Sequence, residues 1–163
     1  MVGISNIYID SVLTKLNLKH WQGIYSIDTI PSTLFEKFFT IITNLAPHDA
    51  PGTHFVALCQ IKEDKNSTLY LFDSLTTAYD ELPTTLQIIL KKHNGINFLK
   101  YPIQDIFSEY CGFYCMYFIM FLSLPPSLQN HFSPSRFRIN DLEKNDKLCI
   151  KMITQMIHRI KRF

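Results

Sequence analysis

The sequence predicts an α+β fold, because helical patterns at both ends of the chain enclose a group of strand patterns in its middle. Apolar residues at helical spacing indicate a first helix over residues 5–16 and a last helix over residues 144–161. Between them, residues 53–61 and 67–72 have the composition of two strands. The length of 163 residues is typical of one domain, so we expect a single domain over residues 1–163.

The segment before these strands is predicted to contain one strand and one helix. Residues 21–27 (WQGIYSI) are expected to be extended. Pro31 suits the first turn of a helix, and a helix from there to residue 44 would align four apolar residues, namely Leu34, Phe38, Ile41 and Ile42. A turn-rich loop, APHDAPG, follows at residues 46–52.

The two strands are separated by the polar loop 62–66, which predicts an antiparallel hairpin. Pro83 then begins a helix over residues 83–93, and residues 96–101 are predicted as a third strand. Residues 111–124 (CGFYCMYFIMFLSL) contain no charged residue and are followed by two prolines. This run is shorter than the roughly 20 residues that span a bilayer, so we expect a buried core helix and no membrane partner.

Composition excludes two further classes of protein. The chain is 47% hydrophobic and 18% charged, with a net charge of +2, which excludes intrinsic disorder. Its four cysteines are too irregularly spaced for a disulfide scaffold, and no CxxC or HxxxH pair offers zinc ligands, so we expect no metal or small-molecule cofactor. Residues 1–6 lack the features of a secretion signal, and we therefore expect reduced thiols in an intracellular protein.

The charge is unevenly distributed along the chain. Residues 136–163 contain eight Lys and Arg against three acidic residues, a net charge of +5, whereas residues 1–135 carry −3. A basic segment of this kind could bind an anionic partner such as nucleic acid. A solvated helix face is the alternative interpretation, and composition alone favours it.

Cys111 stands between the polar loop 104–110 and the uncharged helix. A thiol at a helix N-terminus is favoured as thiolate by the unpaired backbone N–H groups, and Gly112 after it leaves room for a substrate backbone. A small buried residue is the alternative interpretation. The other three thiols have apolar neighbours and are predicted to be core residues: Cys59, Cys115 and Cys149.

Three more residues complete a candidate catalytic set. His54 begins one strand of the hairpin and Asp73 ends the other, so an antiparallel pairing brings them to the same end, where the carboxylate can orient the imidazole. Taken separately, a surface histidine and a turn aspartate would explain them. Together with Cys111 they supply a nucleophile, a base and an orienting group. Gln104 is either a solvated loop residue or an oxyanion donor beside the Cys111 N–H.

The order of these residues resembles the adenovirus-type cysteine proteases (adenains), which belong to the same broad clan as the SUMO-deconjugating proteases. The motifs that carry the resemblance are GTHFVAL around His54, YLFDS around Asp73, and QDIFSEYCGFYCMYF from Gln104 past Cys111. The upstream stretches WQGIYSID and IITNLAPHDAPGTHF also look like adenain segments. The resemblance covers about residues 20–124.

This resemblance implies a papain-like or adenain-like fold, with a central, mostly antiparallel sheet flanked by helices and the nucleophile at the N-terminus of a buried helix. It implies that Cys111 is the nucleophile, His54 the general base and acid, Asp73 the orienting carboxylate and Gln104 an oxyanion donor. The implied reaction is hydrolysis of a peptide bond through a thioester. The implied substrates are viral precursor proteins of the capsid or core, cut after small residues such as Gly during virion maturation.

The resemblance also implies partners. We expect a monomer that acts in the virion and in the host cell nucleus or the viral assembly site. DNA activates this family, so the basic segment 136–163 becomes a candidate DNA site. A viral peptide activates some members through a disulfide to a cysteine shortly before the glutamine, but residues 92–103 contain no cysteine. Any activating peptide is therefore expected not to be disulfide-linked there.

The sequence departs from the pattern at two positions, and the first of them supports an alternative. Asp73 stands where the adenains of adenoviruses commonly carry Glu, and Asp is the choice of the SUMO-protease branch. Phe55 follows the histidine where Trp is more usual in both groups. The first alternative is therefore a deconjugating protease for SUMO or another ubiquitin-like modifier. A second is a catalytically silent DNA- or capsid-binding protein that retains the active-site residues.

Overall fold

The structure, a computed structural model, describes residues 5–63 and 66–161 and has the α+β architecture that the sequence predicts. Its strands are β1 (Trp21–Ser26), β2 (Phe39–Asn44), β3 (Phe55–Glu63), β4 (Asn66–Phe72) and β5 (Ile96–Asn97). Its helices are α1 (Asn6–Lys15), α2 (Thr84–Lys92), α3 (Cys111–Leu122), α4 (Pro126–Gln129) and α5 (Leu142–Ile160). Short 3₁₀ turns occur at Ser32–Glu36, Tyr79–Glu81, Asn130–Phe132 and Pro134–Arg136.

In the described part of the chain, the strands form one five-stranded sheet in the order β1-β2-β3-β4-β5. The central strands β2, β3 and β4 are antiparallel, as predicted for the hairpin. Both edges are parallel pairs, β1 with β2 and β4 with β5. The expectation of a mostly antiparallel sheet is therefore confirmed, with parallel pairs at the two edges. The edges differ because each is joined to its neighbour by a crossover, one containing the turn Ser32–Glu36 and the other α2.

Both faces of the sheet are covered, and alternate residues of the central strands enter two separate cores. One core contains α1, α3 and α5, and the strand residues Ile42, Ala57, Cys59 and Phe72 pack into it. The other contains α2, and Ile41, Val56, Leu58, Leu69 and Leu71 pack there. Because the central strands are apolar on both faces, their sequences read as continuous apolar runs rather than as alternating patterns.

This two-sided burial explains why the predicted helix over residues 31–44 is wrong. The structure has a 3₁₀ turn at Ser32–Glu36 and then strand β2. Ile41 and Ile42 point to opposite faces of the sheet, and both are fully buried. A short apolar run of this kind fits helical spacing by chance, whereas its β-branched composition favours a strand.

The other predicted elements are confirmed with shifted ends. Helix α1 begins after Ser5, whose hydroxyl accepts a hydrogen bond from the Tyr8 N–H at 3.2 Å. Strand β5 includes only the first two of the six residues predicted over 96–101. Strands β3 and β4 extend into the predicted loop 62–66, and Asp64 and Lys65 lie outside the described residues.

Helix α3 is the centre of the larger core, which confirms the prediction of a buried helix for its uncharged sequence. Seven consecutive residues, 114–120, are at most 1% exposed. Phe118 stacks on Phe72 of β4 with ring centroids 4.4 Å apart, which fixes the helix against the sheet. Within the described ranges, every helix is too short or too polar to cross a membrane.

The three thiols predicted as core residues are buried. The Cys115 thiol donates a hydrogen bond to the Phe55 carbonyl at 3.4 Å and so joins α3 to the start of β3. Burial raises the pKa of all three thiols, to about 12 for Cys59 and well above the ordinary value for Cys115 and Cys149. These thiols remain protonated at neutral pH and are poor nucleophiles.

Candidate active site

His54 lies immediately before β3, where three hydrogen bonds hold the loop that leads to it. Its carbonyl accepts from the Leu45 N–H at 2.9 Å. The Asn44 side-chain oxygen accepts from the Ala46 N–H at 2.9 Å and from the Thr53 N–H at 3.2 Å. A Cβ on Gly52 would lie 2.5 Å from the Asn44 amide nitrogen, so a larger residue there would displace the Asn44 side chain that holds the loop.

Asp73 lies immediately after β4, and the β3–β4 pairing brings it beside His54. One carboxylate oxygen, Oδ1, is 2.7 Å from His54 Nε2. The same oxygen accepts from the Leu75 N–H and the other, Oδ2, from the Thr77 N–H, both at 2.9 Å. The carboxylate is 3% exposed, so its charge is offset by these donors and the imidazole instead of by water.

Cys111 is the first residue of α3 and lines the same cleft as His54 and Gln104. Because Asp73 occupies Nε2, the nitrogen that His54 can offer to the thiol is Nδ1. The Cys111 side chain interacts with the His54 ring and with the backbone of Phe55 and Gly112. The nucleophile candidate therefore meets the imidazole at the start of both α3 and β3.

These contacts shift the pKa of all three groups in the direction that favours the charged form. Burial opposes the charge on Cys111, but the hydrogen bonds from His54 and the Phe55 backbone outweigh it and lower the thiol pKa. Burial likewise opposes the imidazolium, but Asp73 and Cys111 outweigh it and raise the pKa of His54 to about 9. Burial would raise the pKa of Asp73, yet its hydrogen bonds with His54 and Thr77 lower it. The site favours a thiolate–imidazolium pair beside an ionised carboxylate.

Gln104 is 2% exposed and its side-chain amide is held at both ends. Its Oε1 accepts from the Ser74 hydroxyl and its Nε2 donates to the Ser108 carbonyl, each at 2.6 Å. A carbonyl can only accept, so the nitrogen must face Ser108 and the amide orientation is determined. One Nε2 hydrogen is used in this bond, which leaves the second for an oxygen bound in the cleft.

Three of the four candidate residues, His54, Gln104 and Cys111, line a cleft of about 730 Å³, and Asp73 is hydrogen-bonded to His54. One wall is the loop before His54, and the other is the loop between Gln104 and Cys111. On that second wall Ile106 and Phe107 are 75% and 93% exposed. The cleft is large enough for several residues of an extended peptide.

The structure brings together all four residues that the sequence singled out, His54, Asp73, Gln104 and Cys111. Sequence reasoning missed Ser74, which is 1% exposed and holds Gln104. The sequence feature that could have indicated Ser74 is its position directly after Asp73. It also missed Asn145 and Asp146 of α5, which bind the Gln104 loop from a distant part of the chain. No local pattern could have indicated that contact.

The basic segment lies on α5 and the turns before it. Its described cations are exposed, and two of them, Lys144 and Lys147, pair with Asp141 and Glu143 on the surface. Arg162 lies outside the described residues. Over residues 5–63 and 66–161, no three His, Cys, Asp or Glu side chains are grouped closely enough to hold a metal ion.

No protein-family model and no curated protein matches this chain. Solved structures that are similar to it include the two that follow. A structure of AvrA delL154 with IP6 and CoA has a TM-score of 0.42 and 17% identity, over 86% of this chain and 53% of that one. This chain therefore spans about half the length of that structure. A crystal structure of a de-sumoylating protease has a TM-score of 0.43 and 14% identity, over 95% of this chain and 75% of that one.

Proposed function

We propose that this protein is a cysteine peptidase that uses Cys111 as nucleophile. The observation that carries the proposal is the position of His54 between the buried Asp73 carboxylate and the Cys111 thiol at one end of an open cleft. A thiolate at neutral pH, a base that can share its proton and a group that orients the base are what nucleophilic acyl transfer requires.

The proposed reaction has two steps. The Cys111 thiolate attacks the peptide carbonyl, and the oxyanion is bound by the Cys111 N–H and the second Nε2 hydrogen of Gln104. The His54 imidazolium gives its proton to the leaving amine, and a thioester remains. His54 then takes a proton from water, which hydrolyses the thioester and regenerates the thiolate. Asp73 keeps Nδ1 directed at the sulfur throughout.

We propose viral precursor proteins as substrates, cut after small residues such as Gly, because the motifs around the four residues resemble those of adenains. The test is incubation of the purified protein with peptides that contain Gly-Gly and, separately, with capsid or core precursors. We expect cleavage that Cys111→Ala and Cys111→Ser abolish. Unchanged cleavage by either variant would contradict the proposal.

A second candidate, deconjugation of ubiquitin-like modifiers, is favoured by one residue. Asp73 is the carboxylate of the SUMO-protease branch, and the same three groups would hydrolyse an isopeptide bond after a C-terminal diglycine. A modifier that carries a C-terminal electrophile should then form a covalent adduct with Cys111. The viral hypothesis predicts instead that several such modifiers form no adduct while Gly-Gly peptides are still cut.

We propose DNA, bound through residues 136–163, and a viral peptide as candidate activators. The exposed cations of α5 support the first, because a basic helix face attracts phosphates. The rate of peptide cleavage should rise when duplex DNA is added at low salt. Residues 92–103 contain no cysteine, so any activating peptide is expected to bind without a disulfide to that segment. Mass spectrometry of the complex would test this expectation.

A further inference from the structure

Ser108 links helix α5 to both proposed oxyanion donors. Its carbonyl accepts from Gln104 Nε2 at 2.6 Å, and its hydroxyl accepts from the Tyr110 N–H, one residue before Cys111, at 3.3 Å. The same hydroxyl donates to Asp146 of α5 at 2.7 Å. Asp146 therefore fixes the residue that orients the Gln104 amide and shapes the backbone entering α3.

The rest of the Gln104 loop is held in the same way. The Ile103 carbonyl accepts hydrogen bonds from the Asn145 side-chain amide at 2.9 Å and from the Tyr114 hydroxyl at 3.0 Å. The Tyr114 hydroxyl also lies 2.9 Å from the second Asp146 oxygen. Asn145 is 2% exposed, so its hydrogen bonds are shielded from water. Their strength therefore depends on the relative positions of donor and acceptor.

We propose that Asp146 is a positioning residue, which acts through Ser108 to hold the Gln104 amide and the Cys111 N–H as a preformed oxyanion site. The inference rests on the proposed function. Electrostatic stabilisation of an oxyanion depends on donors that do not have to reorganise during the reaction. Asp146 does not line the cleft, so it has no contact through which it could bind substrate directly.

Removal of the Asp146 carboxylate is expected to reduce the catalytic rate without reducing substrate binding. Without the Asp146 carboxylate, Ser108 has no acceptor for its hydroxyl, and the loop gains freedom at the residue that faces Gln104. Ground-state binding of the peptide along the cleft walls is retained, whereas transition-state binding is weakened. The loss should therefore appear in kcat and leave KM unchanged.

The test uses the full chain and an N-blocked peptidyl-Gly-Gly aminomethylcoumarin. Because loss of one oxyanion donor costs about 10²–10³-fold in kcat, we expect a loosened donor in Asp146→Ala to cost roughly tenfold or more, with KM unchanged. Alkylation of Cys111 by iodoacetamide should proceed at the wild-type rate, since that reaction forms no oxyanion. Asp146→Asn should restore kcat, because an amide can accept from Ser108 and donate to the Tyr114 oxygen. Glu81→Ala, on an exposed turn across the sheet, is the control.

Several results would overturn the positioning role. They are a wild-type kcat for Asp146→Ala, a fall in alkylation that parallels the fall in kcat, and a failure of Asp146→Asn to restore activity. If Asp146→Ala does not fold, Ser108→Ala removes the same link and keeps the carbonyl that Gln104 uses. A wild-type protein that releases no coumarin would instead contradict the proposed function itself, and this inference with it.

Discussion

His54 Nε2 and Asp73 Oδ1 lie 2.7 Å apart, and their side chains are only 12% and 2% exposed. A second His–Asp pair, His48 and Asp28, has a similar separation of 2.6 Å, but its side chains are 66% and 36% exposed. The difference matters because a hydrogen-bonded ion pair is strengthened by exclusion of water and is screened at the surface. Only the buried pair can hold its imidazole in one orientation.

Asp73→Asn should reduce kcat/KM by about 10²–10⁴-fold, because the imidazole loses its orienting charge. It should also move the alkaline limb of the pH profile to lower pH, since Asp73 is a main cause of the raised His54 pKa. Steady-state kinetics from pH 5 to pH 10 measure both effects. Asp80→Asn, an exposed carboxylate on the turn Tyr79–Glu81, is the control and should change kcat/KM less than about threefold. Equal losses of kcat/KM in the two variants would contradict the orienting role of Asp73.

The thiolate–imidazolium pair predicts a pH profile for alkylation of Cys111. The pKa of His54 is raised to about 9 and that of Cys111 is lowered from its ordinary value, and both shifts favour the thiolate–imidazolium pair. Iodoacetamide should therefore react rapidly near pH 7, and catalysis should decline as the pH rises through about 9 and His54 loses its proton. In His54→Ala the rate should follow an ordinary thiol and rise only toward pH 9. A wild-type profile of that ordinary form would refute the pairing.

A short iodoacetamide treatment of the native protein should modify one thiol of the four. Cys111 is partly exposed, whereas Cys59, Cys115 and Cys149 are buried. Intact-protein mass spectrometry should give a single adduct in the wild type and none in Cys111→Ser. After unfolding in guanidinium, the two proteins should take up four and three labels. Labelling at a buried thiol as fast as at Cys111 would contradict this assignment.

Phe118→Ala should lower the free energy of unfolding by about 3–5 kcal/mol, the usual cost of removing a buried aromatic ring. Phe118 is fully buried, stacks on Phe72 with ring centroids 4.4 Å apart, and meets the tilted ring of Phe98 at 4.7 Å. Ile88→Ala, on the outer side of α2, should change stability by no more than about 0.5 kcal/mol, because Ile88 is 61% exposed. Urea unfolding followed by circular dichroism compares the two variants.

If the basic segment binds DNA, the affinity should fall with salt, and each lost phosphate contact should reduce the slope of log K against log salt by about one. Lys147→Glu and Lys151→Glu on α5 should each lower the slope. Lys91→Glu on α2, which packs on the opposite face of the sheet, is the matched control. Fluorescence anisotropy with a labelled duplex measures the slope. No binding at low salt would exclude a DNA site.

Local sequence patterns were sufficient to predict an element where its residues follow one clear periodicity or are buried throughout. The apolar residues of α1 at helical spacing and the uncharged run of α3 each specify their element with few alternatives. The segment 31–44 failed because β2 is buried on both faces, so its apolar residues lack the alternation that would have distinguished a strand from a helix.

The sequence by itself singled out the candidate site residues: a cysteine at the start of an apolar helix, a histidine just before a hairpin, an aspartate just after it, and a glutamine upstream of the cysteine. Tertiary structure alone decided how these groups are held. The bond from Ser74 to Gln104 joins residues 30 positions apart, and the bond from Ser108 to Asp146 joins residues 38 positions apart. Such contacts arise only when α5 and the end of β4 pack around the same loop, and no residue spacing along the chain encodes that packing.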